Sequence, residues 1–310
     1  MAVEDISAVA KIDPFLVIGS DEGVGAAGNE NYIQLLKKKD DDGGYILHNN
    51  ILLQLGDESE GNELDIEGIG VEENRIYVIG AHCRKRKKVK STRSHKKNRK
   101  KFQYDKIEEE KNRDWLYQVT IDTDGNALDK QRITLRDIIK NDPVLHLFTP
   151  IPSKENGVDI EGIAAKDGWV YIGFRGPVFR ENYVPVMKLK FDDPEKTYNL
   201  LYVELGGRGI RDIVSVSDGF LLLAGPVGDG SDSYQLYHWD GKDVIPGEDL
   251  KEEEEGKIRL LGEIVPPLGG KVEGVVVLEE QDSFYQLIIA YDGAADKESV
   301  MQHFRITTQP

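Results

Sequence analysis

Five short segments of this chain carry its most evident chemical potential, because each sets a polar or acidic residue at the same point of an apolar alternation. They read DISAVA from Asp5, DIEGIG from Asp65, DIEGIA from Asp159, IRDIVS from Ile210 and KVEGVV from Lys271. The third positions are Ser7, Glu67, Glu161, Asp212 and Glu273. Brought to one axis, four carboxylates and a hydroxyl cannot all stay charged without a partner. A hard cation would supply one: Ca²⁺ takes six to eight oxygens at about 2.3–2.6 Å, and Mg²⁺ demands stricter octahedral geometry. Alternatively, backbone amides of neighbouring strands satisfy these acids, and the ring is structural.

A second set is expected near the same end of that axis: His82 in GAHCR, Arg175 in FRGP, and Arg208 and Arg211 in GGRGIRD. Guanidinium groups grip carboxylate or phosphate with two parallel hydrogen bonds. Arg175, Arg208 and Arg211 would therefore hold an anionic ligand, with His82 as a general base. The plainer possibility is that each arginine neutralises a ring carboxylate, as Arg211 beside Asp212 could.

What must position these residues is a repeated all-β unit. Each motif is followed by a turn and a strongly apolar strand (FLVIGS, RIYVIG, WVYIGF, GFLLLAG, FYQLIIAY), then by an alternating one (YIQLLKK, WLYQVTID, VPVMKLKF, YQLYHWD, MQHFRIT). The first four units add a further strand, for instance LLYVEL. Period-two alternation, Asp-Gly turns at 124–125, 167–168, 218–219, 240–241 and 292–293, Gly-Gly at 43–44, and hardly any helical pattern argue for propeller blades. The expected fold is a single-domain β-propeller over 1–310 with five blades. Six is the alternative, since 94 residues separate the second and third motifs. The last blade is expected to have three strands, or to be completed elsewhere. Residues 84–112 read as a basic loop insertion and 136–150 as a short helical connection.

Charge is uneven. The net charge is −16, yet Arg84–Lys101 carries 12 of the 40 Lys and Arg residues and no acid, which leaves the rest of the chain at −28. The basic run resembles a nucleic-acid patch by composition, but acidity on that scale makes nucleic acid the least favoured partner, and the run reads first as a solvated loop or a guide for an anionic ligand. One cysteine, Cys83, excludes an internal disulfide framework. No apolar run is long enough to cross a bilayer, and MAVEDISAVAK has no secretory pattern. The expectation is a cytoplasmic monomer without membrane contact. GVGAAG from Gly23 matches a dinucleotide fingerprint but lacks its βαβ setting and reads as a hairpin loop.

Taken together, DIEGIG, YVIGAHCRKRKKVKSTR, DIEGIAAKDGWVYIGFRGPV, GGRGIRDI, LLAGP and KVEGV resemble a bacterial family, domain of unknown function 3616. That resemblance covers nearly the whole chain and implies a propeller without an assigned activity. The EGIA motif is more distantly similar to esterase-like phytase domains and to calcium-activated nucleotidases (apyrases). The latter similarity implies Ser7, Glu67, Glu161 and Glu273 as calcium ligands, with Asp212 a weaker match. Two functions follow as expectations: a metal-dependent hydrolase of a phosphorylated or other anionic small molecule, or a non-catalytic binding or scaffolding propeller with a structural axial cation.

Overall fold

A computed structural model describes residues 6–21, 23, 30–39, 44–54, 64–230, 233–293 and 300–308. Asp5 of the first motif and most of GVGAAG lie outside them. Five antiparallel sheets form a ring, one per motif, and the protein is a five-bladed β-propeller. Blade 1 is β1 (Ile6–Ile12), β2 (Phe15–Ser20), β3 (Tyr32–Lys38) and β4 (Tyr45–Leu52), in that order from the axis outward. Blade 2 starts with β5 (Ile66–Glu72) and β6 (Arg75–Gly80). The chain then leaves the sheet through a two-stranded excursion, β7 (Arg84–Arg86) and β8 (Ile107–Glu109), which carries helix α1 (His95–Lys100). It re-enters as β9 (Trp115–Ile121) and β10 (Ala127–Thr134), so the long interval after the second motif holds no sixth blade.

Helix α2 (Arg136–Asn141) leads to blade 3, made of β11 (Asp159–Lys166), β12 (Trp169–Gly176), β13 (Tyr183–Leu189) and β14 (Asn199–Glu204). Blade 4 is β15 (Gly209–Val216), β16 (Gly219–Gly225), β17 (Tyr234–Trp239) and β18 (Ile258–Ile264). Blade 5 has three strands among the described residues, β19 (Lys271–Gln281), β20 (Phe284–Asp292) and β21 (Met301–Thr307). Turn chemistry matches the sequence: Asp167 and Gly168 take φ of 54° and 72°, the left-handed pair that joins β11 to β12 in a tight hairpin.

Apolar residues alternate to both faces of each blade, so the core is five interblade layers rather than one centre. Phe15 and Ile33 pack on Ile66 and Tyr117; Ile79 and Leu116 pack on Ile160 and Phe174; Ile210 and Trp239 close over Val186. Blade 5 packs on blade 4 through Val275 and Leu287, and on blade 1 through Val276 and Ile288 against Val9 and Leu16. The ring therefore closes by side-chain packing, with no described strand of one terminus completing the other's sheet.

The inner strands β1, β5, β11, β15 and β19 crowd the axis, which explains the glycine after the ring position. A methyl on Gly68 would sit 2.7 Å from the Glu161 carbonyl oxygen of the next blade, whereas one on Gly162 would meet the Ile213 side chain at 2.9 Å. A backbone carbonyl cannot turn aside; an isoleucine can. Gly68→Ala is thus expected to cost about 2–3 kcal/mol and Gly162→Ala about 1 kcal/mol. Urea denaturation of the two variants checks both the size and the order.

Candidate functional site

All five inner strands pair with their neighbours through a register shift at the same point. The residue skipped is Ser7 between Ile6 and Ala8, Glu67 between Ile66 and Gly68, and Glu161 between Ile160 and Gly162. In blade 4 it is Arg211, between Ile210 and Asp212, and in blade 5 Glu273. A bulge re-aims one side chain out of the pleat, and here it happens five times around one axis. The ring is therefore Ser7, Glu67, Glu161, Arg211 and Glu273. Asp212 is not a member: it takes the place that Gly68, Gly162 and Gly274 occupy elsewhere. Its oxygens accept hydrogen bonds of 2.8 Å from the backbone N–H groups of Ile213 and Val275, latching blade 4 to blade 5.

The ring residues line a cavity of about 710 Å³ at the end of the axis where the inner strands begin. Farther along the inner strands lies a smaller pocket of about 180 Å³, lined mainly by small and apolar side chains, among them Val9, Ile69, Ala164, Ile213 and Val276. Arg211 bridges two blades, with Nη1 2.7 Å from the nearer Glu161 oxygen and Nη2 paired to Glu273. Arg175, from β12, pairs with Asp159 and Glu161. Arg113 pairs with Asp65 and reaches Glu110 at 2.6 Å. At the rim, Lys154 meets Asp229 at 3.0 Å and Lys271 meets Asp292 at 3.1 Å. The described wall holds eight carboxyl and six cationic side chains, and the cations are spent on the acids.

One carboxyl is left over. Glu67 makes no hydrogen bond or ion pair to any described residue. It is only partly buried, so it remains accessible from the cavity. Loss of solvation, then repulsion from Asp65, Glu161 and Asp159, pushes it well above the ordinary carboxylate range. Burial also raises Asp159, to about 6, against the pull of Arg175. Cys83 lines the same wall as a buried thiol raised by desolvation.

Other expected members fall elsewhere. His82 lines a small side pocket with Asp114, Arg136 and Ile139 instead of the axial cavity. Its Nδ1 lies 2.8 Å from the Gly80 carbonyl oxygen, and burial lowers its pKa. Arg208 is also off the cavity wall: Nε donates to the Ser233 carbonyl at 2.7 Å and Nη2 to its hydroxyl at 3.0 Å, pinning that loop. Asp65, Asp159 and Arg113 were not singled out in the sequence. The shared Asp at the start of DIEGIG and DIEGIA was a signal for the first two; nothing marked Arg113.

As they stand, Ser7, Glu67, Glu161, Asp212 and Glu273 do not fit Ca²⁺ or Mg²⁺. Ser7 donates its hydroxyl to the Ile66 carbonyl, Asp212 is taken up by backbone N–H groups, and Glu161 and Glu273 hold guanidinium. Among the described residues no three His, Cys, Asp or Glu side chains are grouped to hold a metal ion. Arg211 already supplies positive charge within the ring.

Fold and site together define a five-bladed propeller with a polar axial cavity whose cations are ion-paired and whose acids are in excess. Residues 5–308 match the family described as Protein of unknown function (DUF3616), and the chain belongs to that family. No curated protein sequence matches it. Solved structures with a similar fold include an exo-β-1,3-galactanase from Phanerochaete chrysosporium (7% identity, TM-score 0.46, 98% of this chain and 60% of that one). Another is a putative 6-phosphogluconolactonase from Bacteroides uniformis (10% identity, TM-score 0.43, 98% of this chain and 84% of that one). The chain thus spans three-fifths of the galactanase's length. Among the described residues no helix is long and apolar enough to cross a membrane.

Proposed function

We propose that the axial cavity is the site of a hydrolase that acts on a small, polyoxygenated molecule by proton transfer through Glu67. The observation that carries this reading is the unpaired state of Glu67 on a wall where every other described carboxyl has a partner. A carboxyl pushed above its usual range holds its proton to higher pH than an ordinary carboxylate and can give it to a departing oxygen. The carboxylate this leaves can take a proton from the incoming water. Arg175 and Arg211 act as positioning residues, since their guanidinium groups fix Glu161 and Asp159 around Glu67. Spent cations and an excess of acids on the wall favour an uncharged hydrogen-bonding ligand over a strongly anionic one.

The test is hydrolysis of a panel of lactones, glycosides, carboxylic esters and phosphate esters across pH 5–9. Turnover should appear with an uncharged class and fall as pH rises through the Glu67 pKa. Activity confined to phosphate esters, or a rate that instead rises with pH throughout this range, would overturn the reading.

A further inference from the structure

The excursion between β6 and β9 is an ordered platform on the rim of the cavity. Its root is tied down: Arg84 pairs with Glu109 at 2.8 Å, Lys85 with Glu110 at 2.6 Å, Lys87 with Glu108 at 2.7 Å, and Arg86 with Glu155. Lys85 and Lys154, next to Glu155, line the cavity mouth. Those pairs use up the nearby acids. Beyond them Lys88, Lys90 and Arg93 are exposed and make no ion pair to a described residue, and the same holds for Lys96, Lys97, Arg99 and Lys100 on α1. Asn98 fixes the turn by hydrogen bonds to the backbone of Lys90. Lys101 packs underneath, its ammonium pulled below the usual range by burial first and then by the charges of Arg93, Lys90 and Lys87.

Two aromatic rings directly follow these cations in the chain. Phe102 is 66% exposed and Tyr104 73% exposed, and the Arg86 guanidinium lies over Phe102 at 5.9 Å. In the fold Arg86, at the outer end of the β7–β8 ladder, donates to the Lys101 and Gln103 carbonyls and so keeps Phe102 beside it. Exposed aromatics next to unpaired Lys and Arg are what single-stranded nucleic acid needs, stacking for its bases and charge for its phosphates. Because the remainder of the chain is strongly acidic, this charge is local and would orient a bound strand on one face.

We infer that residues 86–104 form a docking surface for single-stranded nucleic acid at the mouth of the axial cavity, independent of the chemistry assigned to Glu67. Fluorescence anisotropy of a labelled 12-nucleotide strand, measured with the full chain over a salt series, tests it. Binding should weaken with salt at a log–log slope of about −3, the value for about four neutralised phosphates. Lys96→Gln, Lys97→Gln, Arg99→Gln and Lys100→Gln together should flatten that slope to about −1. These side chains are exposed, so the fold should persist. Phe102→Ala with Tyr104→Ala should weaken the strand by about thirtyfold or more with the slope unchanged, while inorganic polyphosphate binds that variant as it binds the wild type. Absence of strand binding at low salt overturns the inference. So does an aromatic variant that binds the strand normally, which would make the surface a generic polyanion patch. A salt-sensitive dimer in sedimentation, abolished by the four-glutamine variant while no strand binds, would assign the surface to the acidic body of a second copy.

Discussion

Arg211→Met is expected to lower the free energy of unfolding by about 3–5 kcal/mol, because it leaves buried charge without its counter-ion. The Arg211 side chain is 6% exposed and its partners Glu161 and Glu273 are 3% and 10% exposed. Methionine retains most of the stem's packing, so the loss isolates the charge. Equilibrium urea denaturation measures it. Adding Glu161→Gln and Glu273→Gln should recover most of the loss, since a buried network can be replaced by neutral groups at little cost whereas half a network cannot. The same single variant is expected to acquire a melting shift with millimolar Ca²⁺ that the wild type lacks. Without the built-in guanidinium, Glu67, Glu161 and Glu273 become a ring of acids in need of a cation. If Arg211→Met melts like the wild type, the ring is not held by this pair of ion bridges.

Glu67→Gln should reduce turnover by about 10²–10⁴-fold, the usual contribution of a positioned general acid, while making the fold more stable. The carboxyl's folded pKa lies above its unfolded value, so the native state binds the extra proton, and stability falls as pH rises between the two values. Glutamine carries no such proton. The stability gain of the variant should therefore be small near pH 4.5 and grow by about 1.4 kcal/mol per pH unit until the folded pKa is passed. Asp159, raised to about 6, adds a slope of the same sign up to that pH, and because it repels Glu67 its own slope is smaller in the variant. Thermal melts from pH 4.5 to 8 read the trend. A gain that is independent of pH would show that Glu67 is ionised like an exposed carboxylate.

Architecture was readable because the alternation of FLVIGS, RIYVIG and WVYIGF is set by burial on two blade faces, and the Asp-Gly pairs mark hairpins directly. Four of the five ring positions were readable for the same reason. The fifth was misplaced by one residue. Aligning the motifs on their acids puts Asp212 in the ring; aligning them on the preceding apolar residue, Ile6, Ile66, Ile160, Ile210 and Val272, puts Arg211 there. The bulges show that the second alignment is the physical one. That single shift exchanges a carboxylate for a guanidinium and removes the reason to expect calcium.

Long-range pairings, within a blade or between blades, were not legible. Arg113 to Asp65 and Arg211 to Glu273 join residues far apart in the chain, and nothing local distinguishes them from surface charge. His82 and Arg208 looked equivalent to Arg175 in their glycine-rich settings. Only the strand ends decide which of the three faces the axis.

Protonation of Glu67 can be observed without knowing any substrate. In protein labelled with ¹³C at the glutamate side-chain carboxyl, one resonance, missing from Glu67→Gln, should titrate well above the ordinary glutamate value near 4.3. A Glu67 resonance that titrates at or below that value, as an ion-paired or freely hydrated carboxylate does, contradicts the site.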